Sequence, residues 1–176
     1  LPIFGDVDAA FASAAVVVER RIRNPRCSAV PMEPRGVLAV PTGDGGVEVW
    51  TSTQAPHRQQ TITAELLGVE SEAVRVTCPD VGGGFGQKAH VYPEEILVPW
   101  LALRLGRPVK WVEDRSESLL ASTHARGQDV LVRAAADAEG RLLALEADVV
   151  CDQGAYGSFP HGAILEALGT PALLPG

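Results

Sequence analysis

A chain of 176 residues, 46 % of them hydrophobic and with a net charge of −7, has the size and composition of one ordinary globular domain. The acidic balance argues against a basic nucleic-acid face, and no apolar run approaches the roughly 18 residues of a membrane span. Cys27, Cys78 and Cys151 lie far apart without a Cys-x-x-Cys pair, and the four histidines lack His-Glu-x-x-His spacing. Neither zinc nor an iron–sulfur cluster is therefore expected on this chain alone. With no charged leader at residues 1–4, a cytoplasmic protein with reduced thiols is the expectation.

Taken in order, Asp6 is placed to cap a short helix over residues 7–14. The β-branched run from Val16 to Ile22 reads as a strand, ended by Asn24-Pro25. Pro31-Met32-Glu33-Pro34-Arg35 reads as a stiff loop. Residues 36–40 and 47–52 are two strands joined by the turn signal Thr42-Gly43-Asp44-Gly45-Gly46. The second delivers Ser52-Thr53-Gln54 to the start of a helix. That helix has Pro56 in its first turn, Ile62, Leu66 and Leu67 as an apolar stripe, and Gly68 as its stop. A strand over 73–78 leads into a glycine-rich stretch, followed by a helix from Tyr92 to Leu105.

In that helix Ile96, Leu97, Trp100, Leu101 and Leu103 predict a mostly buried element, and Pro99 predicts a kink or a break. Glu94 and Glu95 in its first turn point about 100° apart, which suits the helix dipole better than paired acid–base work. Residues 108–112 read as a strand and Asp114 as the cap of a further helix. Residues 129–133 and 142–150 form a hairpin across Asp137-Ala138-Glu139-Gly140, and a loop at 153–157 precedes a helix over 161–168. The fold class expected is α+β, with antiparallel hairpins and a mixed sheet packed by helices.

The chain is organised around Asp80-Val81-Gly82-Gly83-Gly84-Phe85-Gly86-Gln87-Lys88. Glycine lets a backbone lie directly against a ligand, and a glycine-rich turn between strand and helix can aim N–H groups at a bound oxygen or phosphate. Two phosphate-binding readings fail on spacing. Gln87 precedes Lys88 and Ala89 follows it, so this is no Gly-x-x-x-x-Gly-Lys-Ser/Thr, and Gln87 stands where Gly-x-Gly-x-x-Gly needs its last glycine. Phe85 among the glycines suits a pocket wall more than a plain turn.

Val81 to Lys88, Tyr92-Pro93-Glu94-Glu95, and Gly106 to Arg115 together resemble the molybdenum hydroxylases. This is the family of the large, molybdopterin-binding subunits of xanthine dehydrogenase, aldehyde oxidase and aerobic carbon monoxide dehydrogenase. The likeness runs from Phe4-Gly5-Asp6 through Pro31-Met32-Glu33-Pro34-Arg35 to Asp152-Gln153-Gly154-Ala155-Tyr156. It implies that residues 1–176 form a single, partial molybdopterin-binding domain, the first such segment of a larger subunit. It also implies hydroxylation of an aldehyde, an N-heterocycle or carbon monoxide, with water as oxygen source.

The implied cofactor is molybdenum–molybdopterin, in its plain or cytosine dinucleotide form. The implied partners are the rest of the molybdenum subunit, iron–sulfur and FAD subunits that take the electrons, and a small-molecule substrate. Residue by residue, Gln54 would hydrogen-bond an oxygen ligand of molybdenum, backbone N–H groups of Gly84, Phe85 and Gly86 would face that ligand or the pterin, and Phe85 would wall the pocket. No residue here matches the family's catalytic glutamate, which belongs to a Gly-x-Gly-Glu-type segment, and no direct metal ligand is expected. Ala89 stands where some purine-oxidising members carry a glutamate, which points toward the carbon monoxide or aldehyde branch. The alternative is a noncatalytic remnant or scaffold that binds no cofactor.

Overall fold

A computed structural model describes residues 4–152 and residue 154. Its elements in chain order are α1 (Val7–Ser13), β1 (Val16–Asn24), β2 (Cys27–Ser28), β3 (Gly36–Pro41), β4 (Val47–Thr51), α2 (Pro56–Leu67), β5 (Val74–Thr77), α3 (Pro93–Leu105), β6 (Val109–Val112), α4 (Arg115–Ala121), β7 (His124–Ala125), β8 (Gln128–Ala136) and β9 (Leu142–Cys151). The expected helix over 161–168, and the loop at 153–157 apart from Gly154, lie outside the described residues. The α+β class is borne out. Chain length does not reveal that the residues group into two compact units, one of residues 1–27 with 126–176 and one of residues 28–125.

In the first unit β8 lies between β1 and β9, antiparallel to both. The register sorts side chains by alternation: Val16, Val18 and Ile22 share a face with Val130, Val132 and Leu145, while Arg21, Asp129, Arg133 and Glu146 share the other. Ion pairs Arg21–Asp129 and Arg133–Glu146 join neighbouring strands on that polar face, and the Arg133 guanidinium lies over the Phe11 ring. Asp6 caps α1 by accepting from the Ala9 N–H at 3.0 Å.

The second unit is built on a four-stranded sheet in the order β5-β4-β3-β6. The turn at Thr42–Gly46 folds β3 and β4 into the expected antiparallel hairpin, and β5 joins β4 in parallel after the α2 crossover. Period-two alternation puts Val37, Ala39, Val47, Val49 and Val74 on one face, where they form the core with Ala64, Val98 and Ala102 of the two helices.

Two expectations about these helices need correcting. The buried residues of α2 are Gln59, Thr63 and Ala64, while Leu66 is exposed. Those of α3 are Glu95, Val98, Pro99 and Ala102, while Leu97 and Trp100 point outward. Small residues face the sheet and let both helices lie close to it; the bulky ones instead line an open apolar groove of about 610 Å³ with Ile62, Leu66, Leu97 and Trp100 along it.

Pro99 does not break α3, which is continuous from Pro93 to Leu105. A proline cannot donate to the carbonyl one turn earlier, here that of Glu95. The Gln59 side chain supplies the missing donor, its Nε2 lying 3.3 Å from the Glu95 carbonyl and 3.1 Å from Thr63 Oγ1. Gln59→Leu is therefore expected to destabilise by about 1–3 kcal/mol, the cost of an orphaned buried carbonyl. In a Pro99→Ala background the restored N–H should cut that cost by about 1 kcal/mol. Denaturant melts of the four variants read the coupling, and strict additivity would mean that Gln59 does not compensate for the proline.

Candidate functional site

Strand β4 ends at Thr51, and Ser52-Thr53-Gln54 carries the chain to Pro56 at the start of α2. Thr53 Oγ1 donates to the Lys88 carbonyl and accepts from the Ala55 N–H, which fixes the turn. The Gln54 backbone N–H donates to the Lys88 carbonyl at 2.9 Å. Its side chain returns the link: Oε1 accepts from the N–H of Gly86 at 3.0 Å and of Lys88 at 3.2 Å. Both lone pairs of the carboxamide oxygen are thereby engaged. The Nε2 hydrogens have no acceptor among the described residues, so the amide presents a donor.

The glycines are required sterically as well as conformationally. A Cβ on Gly84 would fall 2.5 Å from the Gln54 Cδ, and one on Gly82 would fall 2.5 Å from the Glu33 Cβ. Gly83 and Gly86 have φ of +93° and +90°, in the left-handed region. Phe85 takes φ +52°, rare for a bulky residue, and the residue is 72 % exposed at the loop tip. Held that way, the ring cannot serve the core of its own unit.

The four residues singled out from sequence, Gln54, Gly84, Phe85 and Gly86, thus come together around one turn. Gly86 differs from its expected role, because its N–H is taken by Gln54 rather than left open for a ligand. The N–H groups of Gly83, Gly84 and Phe85 form no hydrogen bond among the described residues. These three backbone donors and the Gln54 Nε2 are left unpartnered among those residues at one turn, a donor set that suits an oxygen-rich anionic group. Among the described residues no cluster of His, Cys, Asp and Glu could hold a metal ion by itself, so a metal here would bring its own ligands.

Charged neighbours that sequence reasoning missed hold this turn. Lys88 is buried, and its Nζ lies 2.6 Å from Glu33 Oε2, which also accepts from the Gly82 N–H at 2.9 Å. Burial pulls the Glu33 carboxyl upward, but the Lys88 and Gly82 donors outweigh it and hold it below the usual glutamate range. Arg35, also buried, pairs through Nη2 with Glu113 Oε1 at 2.5 Å, reaches Glu94 at 3.2 Å, and lies 3.6 Å over the Tyr92 ring. A signal existed for Glu33 and Arg35: two charges on either side of Pro34 in a stiff loop are poorly placed to be solvated freely.

Glu95 caps α3 by accepting from the Tyr92 N–H, and its other oxygen accepts from Thr51 Oγ1 at 3.1 Å. Both glutamates lie in the first turn of α3 as expected, and Glu94 pairs with Arg35 as well.

The chain matches the molybdopterin cofactor-binding domain over residues 2–172. It belongs to the molybdenum hydroxylase family. It is 44 % identical to the nicotine 6-hydroxylase large subunit of Paenarthrobacter nicotinovorans, over 98 % of this chain and 21 % of that protein. It is 38 % identical to the carbon monoxide dehydrogenase large chain of Hydrogenophaga pseudoflava, over 85 % of this chain and 19 % of that one. Among solved structures, quinoline 2-oxidoreductase of Pseudomonas putida 86 superposes with a TM-score of 0.76 at 44 % identity, covering 88 % of this chain and 20 % of that chain. The chain thus spans about a fifth of the length of these hydroxylase-family relatives.

Burial raises the Glu95 carboxyl above its ordinary value, against the pull of Tyr92, Thr51 and Arg35. A carboxyl whose folded pKa is raised stabilises the fold when protonated and loses that contribution as pH rises through the folded value. Relative to Glu95→Gln, which is uncharged and can still accept from the Tyr92 N–H while its Nε2 donates to Thr51 Oγ1, the wild type should therefore gain stability as pH falls toward the unfolded value near 4.5. Thermal melts of both proteins between about pH 7 and pH 4.5 check this. A difference independent of pH would mean that Glu95 carries no such shift.

Proposed function

We propose that this chain forms one wall of the molybdopterin site in a hydroxylase large subunit, and that the assembled enzyme hydroxylates an electron-poor N-heteroaromatic ring with water as oxygen source. The observation that carries this reading is the Gln54 carboxamide, whose oxygen is fixed by two loop N–H groups and whose Nε2 is left to donate. When bound, the molybdenum centre supplies the two-electron oxidation, and the electrons leave through iron–sulfur and FAD subunits. The chain's own residues orient. Gln54 Nε2 donates to an oxygen ligand of the metal, and the N–H groups of Gly84 and Phe85 face that ligand or the pterin. The exposed Phe85 ring offers a flat apolar wall to a planar substrate.

The three glutamates nearest the loop are each engaged by fixed partners, while Asp80 at its start is exposed. Glu33 serves Lys88 and Gly82, Glu94 serves Arg35, and Glu95 serves Thr51 and Tyr92. The family's Gly-x-Gly-Glu-type segment has no match in this sequence, so the general base comes from another segment of the large subunit, and these 176 residues alone do not turn over substrate. An N-heterocycle is favoured because the nicotine- and quinoline-named relatives are more alike to this chain than the carbon monoxide dehydrogenase chain is. Ala89, in place of a glutamate used on purines, counts against a purine; its pointer toward the carbon monoxide or aldehyde branch is outweighed here by those likenesses.

The test is expression of the full large subunit with its partner subunits under cofactor-replete conditions. Molybdenum content should approach one per large subunit, with turnover of nicotine- or quinoline-type rings exceeding that of aldehydes and carbon monoxide. Gln54→Ala should keep the metal and lower kcat about 10²-fold, the scale of losing one preorganised donor. A molybdenum-free complex would favour a noncatalytic scaffold, and an unchanged kcat would remove Gln54 from the site.

A further inference from the structure

We propose that Glu33 is a positioning residue for the Gln54 carboxamide, acting through Lys88 and the Gly82 N–H. Its functional meaning rests on the reading of Gln54 given above. One carboxylate oxygen, Glu33 Oε2, holds both ends of the glycine turn: the Gly82 N–H at 2.9 Å and the Lys88 Nζ at 2.6 Å. The Glu33 backbone N–H donates in turn to the Gly82 carbonyl at 3.1 Å. Between these anchors lie residues 83–87, which include every loop residue assigned to the cofactor.

The Lys88 side chain is 0 % exposed, and Glu33 is the carboxylate that neutralises it. A buried ammonium without its partner is strongly unfavourable, so the place of Glu33 dictates the place of Lys88. The main chain of Lys88 then dictates Gln54, since its N–H holds Gln54 Oε1 and its carbonyl accepts from the Gln54 N–H. Glu33 is itself held from behind, because Arg115 Nη2 donates to the carbonyls of Pro31 at 2.6 Å and Met32 at 3.2 Å. A chain of fixed contacts thus runs from Arg115 through the Pro31–Glu33 segment to the one amide that faces outward.

The experiment is site-resolved hydrogen exchange on the full chain, comparing wild type, Glu33→Ala, Glu33→Gln and Gln54→Ala. The amides of Gly86 and Lys88 report directly, since both are bonded to Gln54 Oε1. In Glu33→Ala they should exchange about tenfold faster or more, the scale of losing a charge-assisted hydrogen bond, while the Val37 and Val49 amides in the core strands stay at the wild-type rate. Glu33→Gln, which keeps an acceptor, should recover part of the protection, and Gln54→Ala should expose the same two amides. Unchanged Gly86 and Lys88 exchange in Glu33→Ala would overturn the proposal, as would equal acceleration of every amide.

If Glu33→Ala does not fold, Glu33→Ala combined with Lys88→Met removes the unpaired ammonium, and wild-type exchange at Gly86 in that variant would equally overturn it. The exchange result does not depend on cofactor. Faster exchange with an unchanged kcat in the assembled enzyme would uphold the clamp and count against Gln54 acting at the metal.

Discussion

One carboxamide oxygen accepting two backbone N–H groups is the contact on which the site depends. Gln54 Oε1 lies between the amides of Gly86 and Lys88, at a turn where Gly84 has no room for a side chain. This fixes three things together: the path of the loop, the direction of the Gln54 Nε2 donor, and the outward placement of Phe85. A glutamine at the end of a strand is ordinarily mobile and solvated. Here its rotamer is set by groups that cannot move without breaking the loop, which is the preorganisation that electrostatic stabilisation of an oxygen ligand needs.

The surroundings explain how such a loop stays in place with so few side chains of its own. Glycines give up more conformational entropy on ordering than any other residue, so the contacts that fix them must compensate. Ionic contacts do this from outside the loop. Glu33 ties Gly82 to Lys88, and Arg35, gripped by Glu113 and Glu94 and covered by Tyr92, locks the end of the Pro31–Arg35 segment. Buried ion pairs add little net stability compared with apolar packing, but they are geometrically demanding, and here geometry is what the site requires.

Much of this was legible in the sequence because it rests on local chemistry. The Thr42–Gly46 turn, the Gly68 helix stop, and the Asp6 and Asp114 caps each follow from one residue's conformational preference or hydrogen-bonding reach. The strand end carrying Gln54 and the glycine stretch were visible as positions, and their convergence followed from the family likeness. What was not legible depends on partners distant in sequence. Gln59 relieving Pro99, Glu33 finding Lys88 and Arg35 finding Glu113 are pairings of residues 36 to 78 positions apart. Apolar content also misled for α2 and α3, because their close approach to the sheet selects small residues for the inner face and leaves Leu66, Leu97 and Trp100 outside.

The most direct measurement is the distance from Gln54 Nε2 to the nearest oxygen ligand of molybdenum in a structure of the assembled, molybdenum-loaded enzyme. The account requires about 2.7–3.2 Å, with Oε1 still held by the Gly86 and Lys88 amides. A separation beyond about 4 Å, or a carboxamide turned so that Oε1 has left the loop, would contradict it.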